Sequence, residues 1–197
     1  GKVIPLTEDN VTLMGKMSSG KVVMGEHHIT EYKDKIKSVY YKETPEVNPD
    51  VLKAIREADA IVLSMGSLFT SIIPNLLCKE VKKEIDNSKA KIIYVCNIMT
   101  QPGETDDFTV SDHVKLLNKY LGKRKVDAVI LNNGKIDPEI VKNYETTEQK
   151  DLVIADHENL DKLKVETIEN DYIVIENGTI RHNTLRVAID ILSYLLD

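Results

Sequence analysis

Two polar loops, each directly after a short apolar run, hold the side chains of this sequence that are best suited to bind a ligand. The first loop follows Ala60–Leu63 and opens into a predicted helix, and its candidate ligand-binding residues are Gly66, Ser67, Thr70 and Ser71. Glycine lets a ligand approach the backbone closely, and the unpaired N–H groups at a helix start attract an anion. This chemistry suits a phosphate. The alternative interpretation is an ordinary glycine turn in which serine and threonine cap the helix.

The second loop follows the apolar run Ile92–Cys96. Its Pro102-Gly103 pair favours a type II turn, which would hold the neighbouring side chains in a fixed arrangement. Long loops in compact domains are often functional, and the alternatives here are a subunit contact or a plain surface loop. The candidate ligand-binding residues of this loop are Asn97, Thr100, Gln101, Gly103, Glu104 and Thr105.

Weaker candidates lie outside the two loops. Glu26, His27 and His28 are consecutive metal-binding residue types, but adjacent side chains on a strand point to opposite faces and do not share one ion. Arg181 ends a predicted hairpin and is a candidate for contact with an anion, the alternative being a structural salt bridge. The sequence has no Walker A, GxSxG or HExxH motif. We therefore predict neither a metal site nor a cofactor.

The composition disfavours several classes of partner. The formal net charge is −6, which disfavours nonspecific binding to nucleic acid or anionic lipid. Aromatic residues make up 5% and tryptophan is absent, which argues against a stacking platform for single-stranded nucleic acid. The apolar runs fall short of the ~18 residues that span a bilayer. Cys78 and Cys96 lie in apolar stretches, as expected of reduced thiols in a cytoplasmic protein.

The elements that must position the two loops alternate between strand and helix. This alternation predicts an α/β fold, with a Rossmann-like, mostly parallel sheet and helices on both of its faces. Because ligands bind beyond the carboxyl ends of such strands, we expect both loops to lie at one rim of the sheet. The predicted strands are Ala60–Leu63, Ile92–Cys96, Ala128–Leu131 and Leu152–Ala155. The main predicted helices are Leu68–Leu77, Glu80–Asp86 and Val110–Leu121, and further helices start at Asn48-Pro49 and Asp137-Pro138.

The two ends of the chain have their own patterns. Residues 1–45 predict a β-rich elaboration, an antiparallel meander without a helix, and residues 46–197 predict the Rossmann-like part of the same single domain. The strands of the meander are Val11–Met17, Val22–Ile29 and Ile36–Tyr41. Near the other end, Asn177-Gly178 predicts a type I′ hairpin. A last helix should pack on the sheet through one apolar face, formed by Leu185, Ala188, Ile189, Leu192, Leu195 and Leu196.

Several segments also resemble one protein family, in the same order along the whole chain. The most specific is Cys96–Val114, CNIMTQPGETDDFTVSDHV, and the others are Ile4–Leu13 (IPLTEDNVTL), Gly66–Leu77 (GSLFTSIIPNLL) and Ile180–Asn183 (IRHN). Together they resemble the YvcK-like gluconeogenesis-factor family, bacterial proteins in the superfamily of CofD, the 2-phospho-L-lactate transferase. The resemblance implies a Rossmann-like fold, UDP-sugar binding, growth on gluconeogenic carbon sources and maintenance of cell shape.

Two differences from the family pattern bear on the ligand site. Family members usually carry Gly-Pro-Gly-Ser where this chain has Ser64-Met65-Gly66-Ser67, so the last two residues are kept and a glycine and a proline are lost. Members also begin with a strand and a GGGTG-type phosphate loop, followed by an Asn-Asp-Gly-Gly segment, and neither occurs here. The resemblance therefore implies that the chain corresponds to the C-terminal part of a longer family member, with half of the nucleotide cleft.

The residues and the resemblance lead to two main hypotheses for function. The first is a regulatory protein that binds a nucleotide sugar or another phosphorylated small molecule, with Gly66, Ser67, Thr70 and Ser71 on the phosphate. The alternative is a CofD-like transferase that moves a phospho-acid group between a nucleotide diphosphate and an alcohol. That chemistry needs a metal ion or Lys and Arg beside the phosphates, and neither loop contains Lys or Arg, which favours binding.

A third hypothesis is a cytoplasmic scaffold, which would show an exposed apolar patch for its partner. Under each hypothesis we expect no nucleic-acid partner and no membrane insertion. Whether the chain forms a homo-oligomer stays open.

Overall fold

The computed structural model describes residues 1–32 and 34–196, which form three β-sheets with helices around them. The first sheet has three antiparallel strands, the second has four parallel strands and the third is a hairpin. This arrangement confirms the predicted α/β fold with an N-terminal antiparallel sheet. The strands are β1 (Leu13–Met17), β2 (Val22–Met24), β3 (Ile36–Tyr41), β4 (Ala60–Leu63), β5 (Lys91–Val95), β6 (Ala128–Asn132), β7 (Glu166–Asn170), β8 (Ile173–Glu176) and β9 (Thr179–His182).

Helices lie on both faces of the parallel sheet, as predicted. The helices are α1 (Glu26–Glu31), α2 (Pro49–Glu57), α3 (Lys79–Asn87), α4 (Val110–Tyr120), α5 (Pro138–Asn143), α6 (His157–Leu163) and α7 (Thr184–Leu196). On one face, α2, α3, α4 and α6 pack with the antiparallel sheet around the larger core, which includes Ile92 and Val129. On the other face, α7 packs around a smaller core that includes Ile93 and Ile130. Successive residues of one strand thus contribute their side chains to opposite cores, because side chains alternate between the two faces of a sheet.

The four parallel strands lie in chain order, β4-β5-β6-β7, so that β4 and β7 are the edges of this sheet. The first three predicted strands are confirmed to within one residue. The predicted fourth strand, Leu152–Ala155, is wrong, because Leu152 forms an isolated antiparallel bridge to Met99 and the fourth strand is β7. The sequence of β7, ETIEN, has one large apolar residue, since an edge strand needs little apolar surface. It therefore carries no signal of a buried strand.

The N-terminal sheet has the order β2-β1-β3, with β1 in its centre. The prediction of a strand over Val22–Ile29 and of no helix here is wrong, because β2 ends at Met24 and α1 follows. Gly25 has φ 89°, a left-handed conformation that glycine adopts without strain and that ends the strand. The chain then turns into α1, which buries Ile29 in the core. As a result β3 pairs with β1 and does not continue from β2.

The predicted helix Leu68–Leu77 consists of two short turns. Leu68–Ile72 forms a π-helical turn and Ile73–Leu76 forms a 3₁₀ turn. Pro74 has no N–H to donate, so a regular α-helical ladder cannot run through this segment. The segment is nevertheless well packed, and most of its apolar side chains are buried.

Local signals for helix starts and turns are confirmed. Asn48 and Asp137 each accept a hydrogen bond at 2.9 Å from the backbone N–H two residues further along, which caps α2 and α5. Thr109 and Asp112 form a capping box at the start of α4. Asn177-Gly178 has φ values of 51° and 75°, as a type I′ turn between β8 and β9 requires.

Of the six residues predicted to pack on the sheet, Leu195 does so and the other five, Ala188 among them, are exposed, because the last helix packs mainly through a different face. Leu185, Ile189, Leu192 and Leu196 are 71%, 55%, 60% and 86% exposed. The residues that pack on the sheet are Val187, Ile191, Tyr194 and Leu195. Helix α7 is apolar on two faces, and hydropathy alone does not decide which face meets the sheet. Neither α7 nor any other helix within residues 1–32 and 34–196 is long and apolar enough to cross a membrane.

Candidate functional site

The loops after β4 and β5 meet at one rim of the parallel sheet, as predicted. The two strands pair in parallel, so both of them end on the same side. Asn97 donates a hydrogen bond from Nδ2 to the carbonyl oxygen of Gly66 at 3.1 Å. Gln101 donates from Nε2 to the hydroxyl oxygen of Ser67 at 2.9 Å. These two bonds join the predicted ligand-binding loops directly.

Glu104 joins the same loops from a buried position. Its Oε2 accepts a hydrogen bond from the backbone N–H of Phe69 at 3.1 Å, and its Oε1 accepts one from the hydroxyl of Thr70 at 3.3 Å. Burial raises the pKa of Glu104, and the hydrogen bonds from Phe69 and Thr70 offset part of that rise. The carboxylate of Glu104 thus already occupies the backbone N–H of Phe69, in the first helical turn after Gly66. The phosphate hypothesis assigns the N–H groups of this turn to a ligand.

Thr100, Gly103 and Thr105 hold the second loop together from within. Thr105 is fully buried, and its Oγ1 accepts a hydrogen bond from the backbone N–H of Gln101 at 2.9 Å. Thr100 is also buried, and its Oγ1 accepts from the backbone N–H of Asp151 at 2.9 Å. Gly103 has φ 79°, the left-handed value that a type II turn requires at its third position. These residues shape the loop, and ligand contact by them stays a prediction.

The other predicted residues are accessible at the rim. Ser71 is exposed, whereas Gly66, Ser67, Asn97 and Gln101 are half-buried. The Oε1 atom of Gln101 is buried and has no hydrogen-bond partner among the described residues, although Nε2 of the same side chain is bonded. Buried amide oxygens are rarely unpaired in proteins. This atom is therefore suited to accept a hydrogen bond from a ligand.

A cavity of about 290 Å³ lies beside Gln101 and is also lined by residues from the C-terminal third of the chain. Lys150 and Arg181 are the two cationic residues in its lining. Lys150 pairs with Glu148, at 2.6 Å between Nζ and Oε2. Arg181 is exposed, and within the described part of the chain no carboxylate pairs with it. The fold thus places beside the two loops the positive charge that their own sequences lack.

His182 fixes the position of β9, which contributes Arg181 to the lining of the cavity. Its Nε2 donates a hydrogen bond to the carbonyl oxygen of Cys96 at 3.1 Å, because a carbonyl can only accept. Burial lowers the pKa of His182, so the ring is neutral at pH 7, while the bond to Cys96 partly opposes that shift. The bond ties β9 to the end of β5 and so keeps Arg181 at the rim.

Sequence reasoning identifies Arg181 as a candidate for anion contact but assigns no role to Lys150 or His182. The turn signal at Asn177-Gly178 predicts the hairpin that carries His182, but it does not predict the role of this side chain. No local motif marks Lys150, which comes to the site because the adjacent Asp151 is bound by Thr100.

Two other cavities adjoin the rim. One, of about 170 Å³, lies between the ends of β5 and β6 and is lined by the amide side chains of Asn97, Asn132 and Asn133. Asn97 lines both this cavity and the one with the cations, so the two are neighbours. The other is an apolar groove of about 380 Å³ beside the outer edge of β4, with Gly66 and Ser71 in its lining.

The histidines considered as metal ligands lie on α1 and not on a strand. His27 and His28 are both exposed, and Nε2 of His27 lies 3.3 Å from Oε2 of Glu31. Among the described residues, no three or more His, Cys, Asp or Glu side chains are grouped so that they could hold a metal ion.

Comparison with known proteins identifies the family to which this chain belongs. The family described as 2-phospho-L-lactate transferase CofD matches residues 1–173. The chain belongs to the CofD family. The match covers both rim loops and Lys150, and it ends at the first residue of β8.

Proteins that are similar to this chain include named gluconeogenesis factors. The gluconeogenesis factor of Bacillus subtilis is 42% identical over 191 residues, which are 95% of this chain and 59% of the relative. That of Listeria innocua is 37% identical over 198 residues, or 99% and 60% of the two chains. A Clostridium acetobutylicum relative is 41% identical over 202 residues, or 100% of this chain and 45% of its own length. These relatives confirm the resemblance to gluconeogenesis factors.

A crystal structure of a Bacillus halodurans protein confirms the fold. It matches this chain with a TM-score of 0.92 at 36% identity, and the match covers 98% of this chain and 62% of that protein. The chain thus spans between 45% and 62% of the length of these relatives.

Proposed function

We propose that this chain binds a nucleotide sugar, or another phosphorylated small molecule, as part of a cytoplasmic regulatory protein for gluconeogenic growth in bacteria. The names of the Bacillus subtilis and Listeria innocua relatives support the gluconeogenic role. The observation that carries the ligand proposal is the cavity in which Arg181 and Lys150 lie beside the polar groups of both rim loops. Maintenance of cell shape, which the family resemblance implies, belongs to the same proposal.

A nucleotide sugar offers the two kinds of group that this cavity suits. The guanidinium of Arg181 can bind phosphate oxygens through two parallel hydrogen bonds, and the ammonium of Lys150 can act as a point charge. The amides of Asn97 and Gln101 suit the hydroxyl groups of the sugar or the polar edge of the base. The unpaired Oε1 of Gln101 would accept a hydrogen bond from one of these groups.

We further propose that this chain, acting as one domain, supplies part of the cleft and that additional polypeptide supplies the rest. The relatives have between 38% and 55% of their length outside the match, from their covered shares of 62% and 45%. Within the described residues the outer edge of β4 has no partner strand, and the apolar groove runs beside it. Polypeptide in this groove would border Gly66 and Ser71. In the family pattern, that polypeptide carries the glycine-rich phosphate loop.

The alternative function is the transfer of a phospho-acid group, linked to a nucleotide through a diphosphate bridge, to an alcohol. The alcohol oxygen would bond to the phosphorus of the phospho-acid and lose its proton to water, the diphosphate bridge would break, and the nucleoside monophosphate would leave. The description of the matching family as a transferase favours this alternative. Lys150 and Arg181 would then neutralise charge on the transferred group in addition to binding it. Binding alone and transfer differ in whether a new phosphodiester is formed, so they can be separated by direct product analysis.

Isothermal titration tests the ligand class. UDP-N-acetylglucosamine, UDP and free N-acetylglucosamine are titrated in parallel into this chain and into the Bacillus subtilis relative. We expect the intact nucleotide sugar to bind the relative more tightly than either of its parts, and to bind this chain more weakly. Equal affinity for both proteins would contradict the divided cleft, and no binding to either would contradict the ligand class. Phosphorus NMR with a nucleotide-linked phospho-acid and an alcohol acceptor tests the transferase alternative.

A further inference from the structure

A cavity that the proposed function does not use borders the π-helical turn Leu68–Ile72. It has a volume of about 430 Å³ and is called here the Glu26 cavity. Small-molecule sites in proteins typically have volumes of about 300–1,000 Å³, so it can hold a ligand group as large as a sugar ring. Residues from the N-terminal sheet, from α1 and from the turn line it together, among them Thr12, Glu26, Tyr41, Thr70, Ser71 and Asn75.

The Glu26 cavity has the opposite charge to the cavity that contains Arg181. Among the described residues, Glu26 is the only charged one in its lining, and no ion pair includes it. Burial is the main cause that raises the pKa of Tyr41 and of Glu104, and the negative charge of the nearby Glu26 adds to both shifts. Because like charges repel, this cavity disfavours a phosphate.

The polar groups of the Glu26 cavity require a ligand that donates hydrogen bonds. The carboxylate of Glu26 can only accept them. Nδ2 of Asn75 donates to the carbonyl oxygen of Ser71 at 2.8 Å, which leaves Oδ1 of Asn75 to accept from a ligand. Among the described residues, no three His, Cys, Asp or Glu side chains are grouped as a metal site. Ligand hydroxyl groups therefore suit these acceptors better than a metal ion does.

The rest of the lining is apolar, as the flat face of a sugar ring requires. Val11 and the ring of Tyr41 are half-buried, and Leu13 and Pro74 are buried. A sugar ring has hydroxyl groups along its edge and C–H groups on its faces, so it needs acceptors beside an apolar surface. A lining of apolar and aromatic side chains with a few placed polar groups is the usual form of such a site.

One helical turn connects the Glu26 cavity to the cavity that contains Arg181. Gln101, in the lining of the cationic cavity, donates a hydrogen bond to the hydroxyl of Ser67 at 2.9 Å. The backbone N–H of Ser71, in the lining of the Glu26 cavity, donates to the carbonyl oxygen of Ser67 at 2.9 Å. A ligand with phosphate at one end and a sugar at the other can therefore contact both cavities across this turn.

We propose that the Glu26 cavity is the subsite for the sugar of the ligand. Glu26 and Asn75 accept hydrogen bonds from its hydroxyl groups, and the ring of Tyr41 packs against its apolar face. The charge of Glu26 keeps the phosphates on the side of Arg181. This inference rests on the proposed function for the identity of the whole ligand, and it leaves the amides of Asn97 and Gln101 to the base.

Amide chemical shifts in NMR spectra of this chain test the sugar subsite separately from the phosphate site. Free N-acetylglucosamine, at tens of millimolar, should shift the signals of Gly25 and Ser71 and leave that of Arg181 unchanged. UDP should do the reverse, and UDP-N-acetylglucosamine should shift all three. Glu26→Ala should weaken the binding of UDP-N-acetylglucosamine at least tenfold and leave that of UDP unchanged. The matched control Glu31→Ala, on α1 but outside the cavity, should change neither affinity.

The sugar subsite is overturned if free N-acetylglucosamine shifts neither Gly25 nor Ser71. An equal loss of affinity for UDP and UDP-N-acetylglucosamine in Glu26→Ala would also overturn it, as would shifts of these two signals by Mg²⁺ and not by the sugar. If Glu26→Ala does not fold by circular dichroism, Glu26→Gln takes its place, with an expected loss of at least threefold. Failure of UDP to shift Arg181 would contradict the proposed phosphate site alone, because the measurement with free sugar does not depend on it.

Discussion

The backbone N–H of Phe69 donates a hydrogen bond to the buried carboxylate of Glu104 at 3.1 Å, across 35 residues of sequence. This bond links the first helical turn after β4 to the loop after β5. The carboxylate of Glu104 also occupies a position at which the start of a helical turn would otherwise attract an external anion. The rim loops are therefore fixed to each other by the protein itself, and a ligand there meets a site whose geometry is already set.

Removing the Glu104 carboxylate should destabilise the protein, and neutralising it should not. Glu104→Ala leaves the N–H of Phe69 unpaired in a buried place, which costs about 1–3 kcal/mol. Glu104→Gln keeps an acceptor for Phe69 and removes a buried charge, so its free energy of unfolding at pH 7 should equal or exceed that of the wild type. Urea denaturation measures both variants. A loss for Glu104→Gln as large as that for Glu104→Ala would show that the charge itself stabilises the fold.

The same residue should give the stability a defined pH dependence. Burial raises the folded pKa of Glu104 above its ordinary value of 4.5, so the folded state keeps the proton to higher pH than the unfolded state. The stability that the protonated group contributes is complete below pH 4.5 and is lost as the pH rises through the folded pKa. The advantage of Glu104→Gln over the wild type should therefore grow from pH 4.5 upward. A difference that does not change with pH would contradict this assignment.

The two faces of α7 should respond very differently to truncation. Leu192 is exposed, so Leu192→Ala should change the free energy of unfolding of this chain by less than about 0.5 kcal/mol. Val187 is buried against the sheet, so Val187→Ala should cost about 1–3 kcal/mol. Thermal or urea unfolding of the two variants, each with one aliphatic side chain shortened to alanine, checks the contrast. A large loss for Leu192→Ala would mean that the face of α7 that carries Leu192 is covered in this chain in solution.

The sequence predicts those parts of the fold whose residue pattern suits only one local structure. The run KIIYV of β5 is apolar without alternation because both of its faces are covered, and the pair Asn177-Gly178 suits its turn alone. The pattern fails at β7, where an edge strand carries few apolar residues. It also fails at α7, because two apolar faces give one hydropathy signal and only the tertiary packing selects between them.

Some features of the candidate site are likewise predictable from the sequence, and others are not. The rim loops are predictable because the chain order of parallel strands fixes where their carboxyl ends lie. The burial of Thr105 and the capping role of Glu104 are not predictable, since polar side chains give the same sequence signal inside a loop and at a ligand. Lys150 is hidden for another reason, because its position depends on a contact between Thr100 and Asp151 that is 51 residues long in sequence.

Arg181 should dominate the electrostatic part of ligand binding. Arg181→Ala should weaken binding of UDP-N-acetylglucosamine at least tenfold, because Arg181 has no carboxylate partner in the described residues and is free to pair with phosphate. Lys150→Ala should have a smaller effect, since Glu148 already pairs with it. Lys21→Ala, on the exposed turn after β1, is the control and should leave the affinity unchanged. Titration calorimetry checks all three, and an Arg181→Ala affinity equal to that of Lys21→Ala would place the phosphate elsewhere.

Gly66 should tolerate a side chain poorly for a steric reason. Its φ is not in the left-handed region, so the backbone itself would accept alanine, but a Cβ there would lie 3.0 Å from the Cβ of Ser71. Gly66→Ala should therefore displace the exposed Ser71 and weaken nucleotide-sugar binding at least tenfold, or by about 1.4 kcal/mol. Ser67→Ala should cost less, about 0.5–1.5 kcal/mol, the contribution of one neutral hydrogen bond.

The double variant Gly66→Ala with Ser71→Gly separates crowding within the protein from contact with the ligand. Removing the Ser71 side chain makes room for the new Cβ, so the melting temperature lost in Gly66→Ala should return. If the backbone at Gly66 lies against a phosphate, the added Cβ still blocks the approach and the affinity should stay low. Circular dichroism and titration calorimetry on the single and double variants measure the two effects. Recovery of affinity together with stability would show that the turn is an ordinary packed connection and that the ligand binds at another part of the rim.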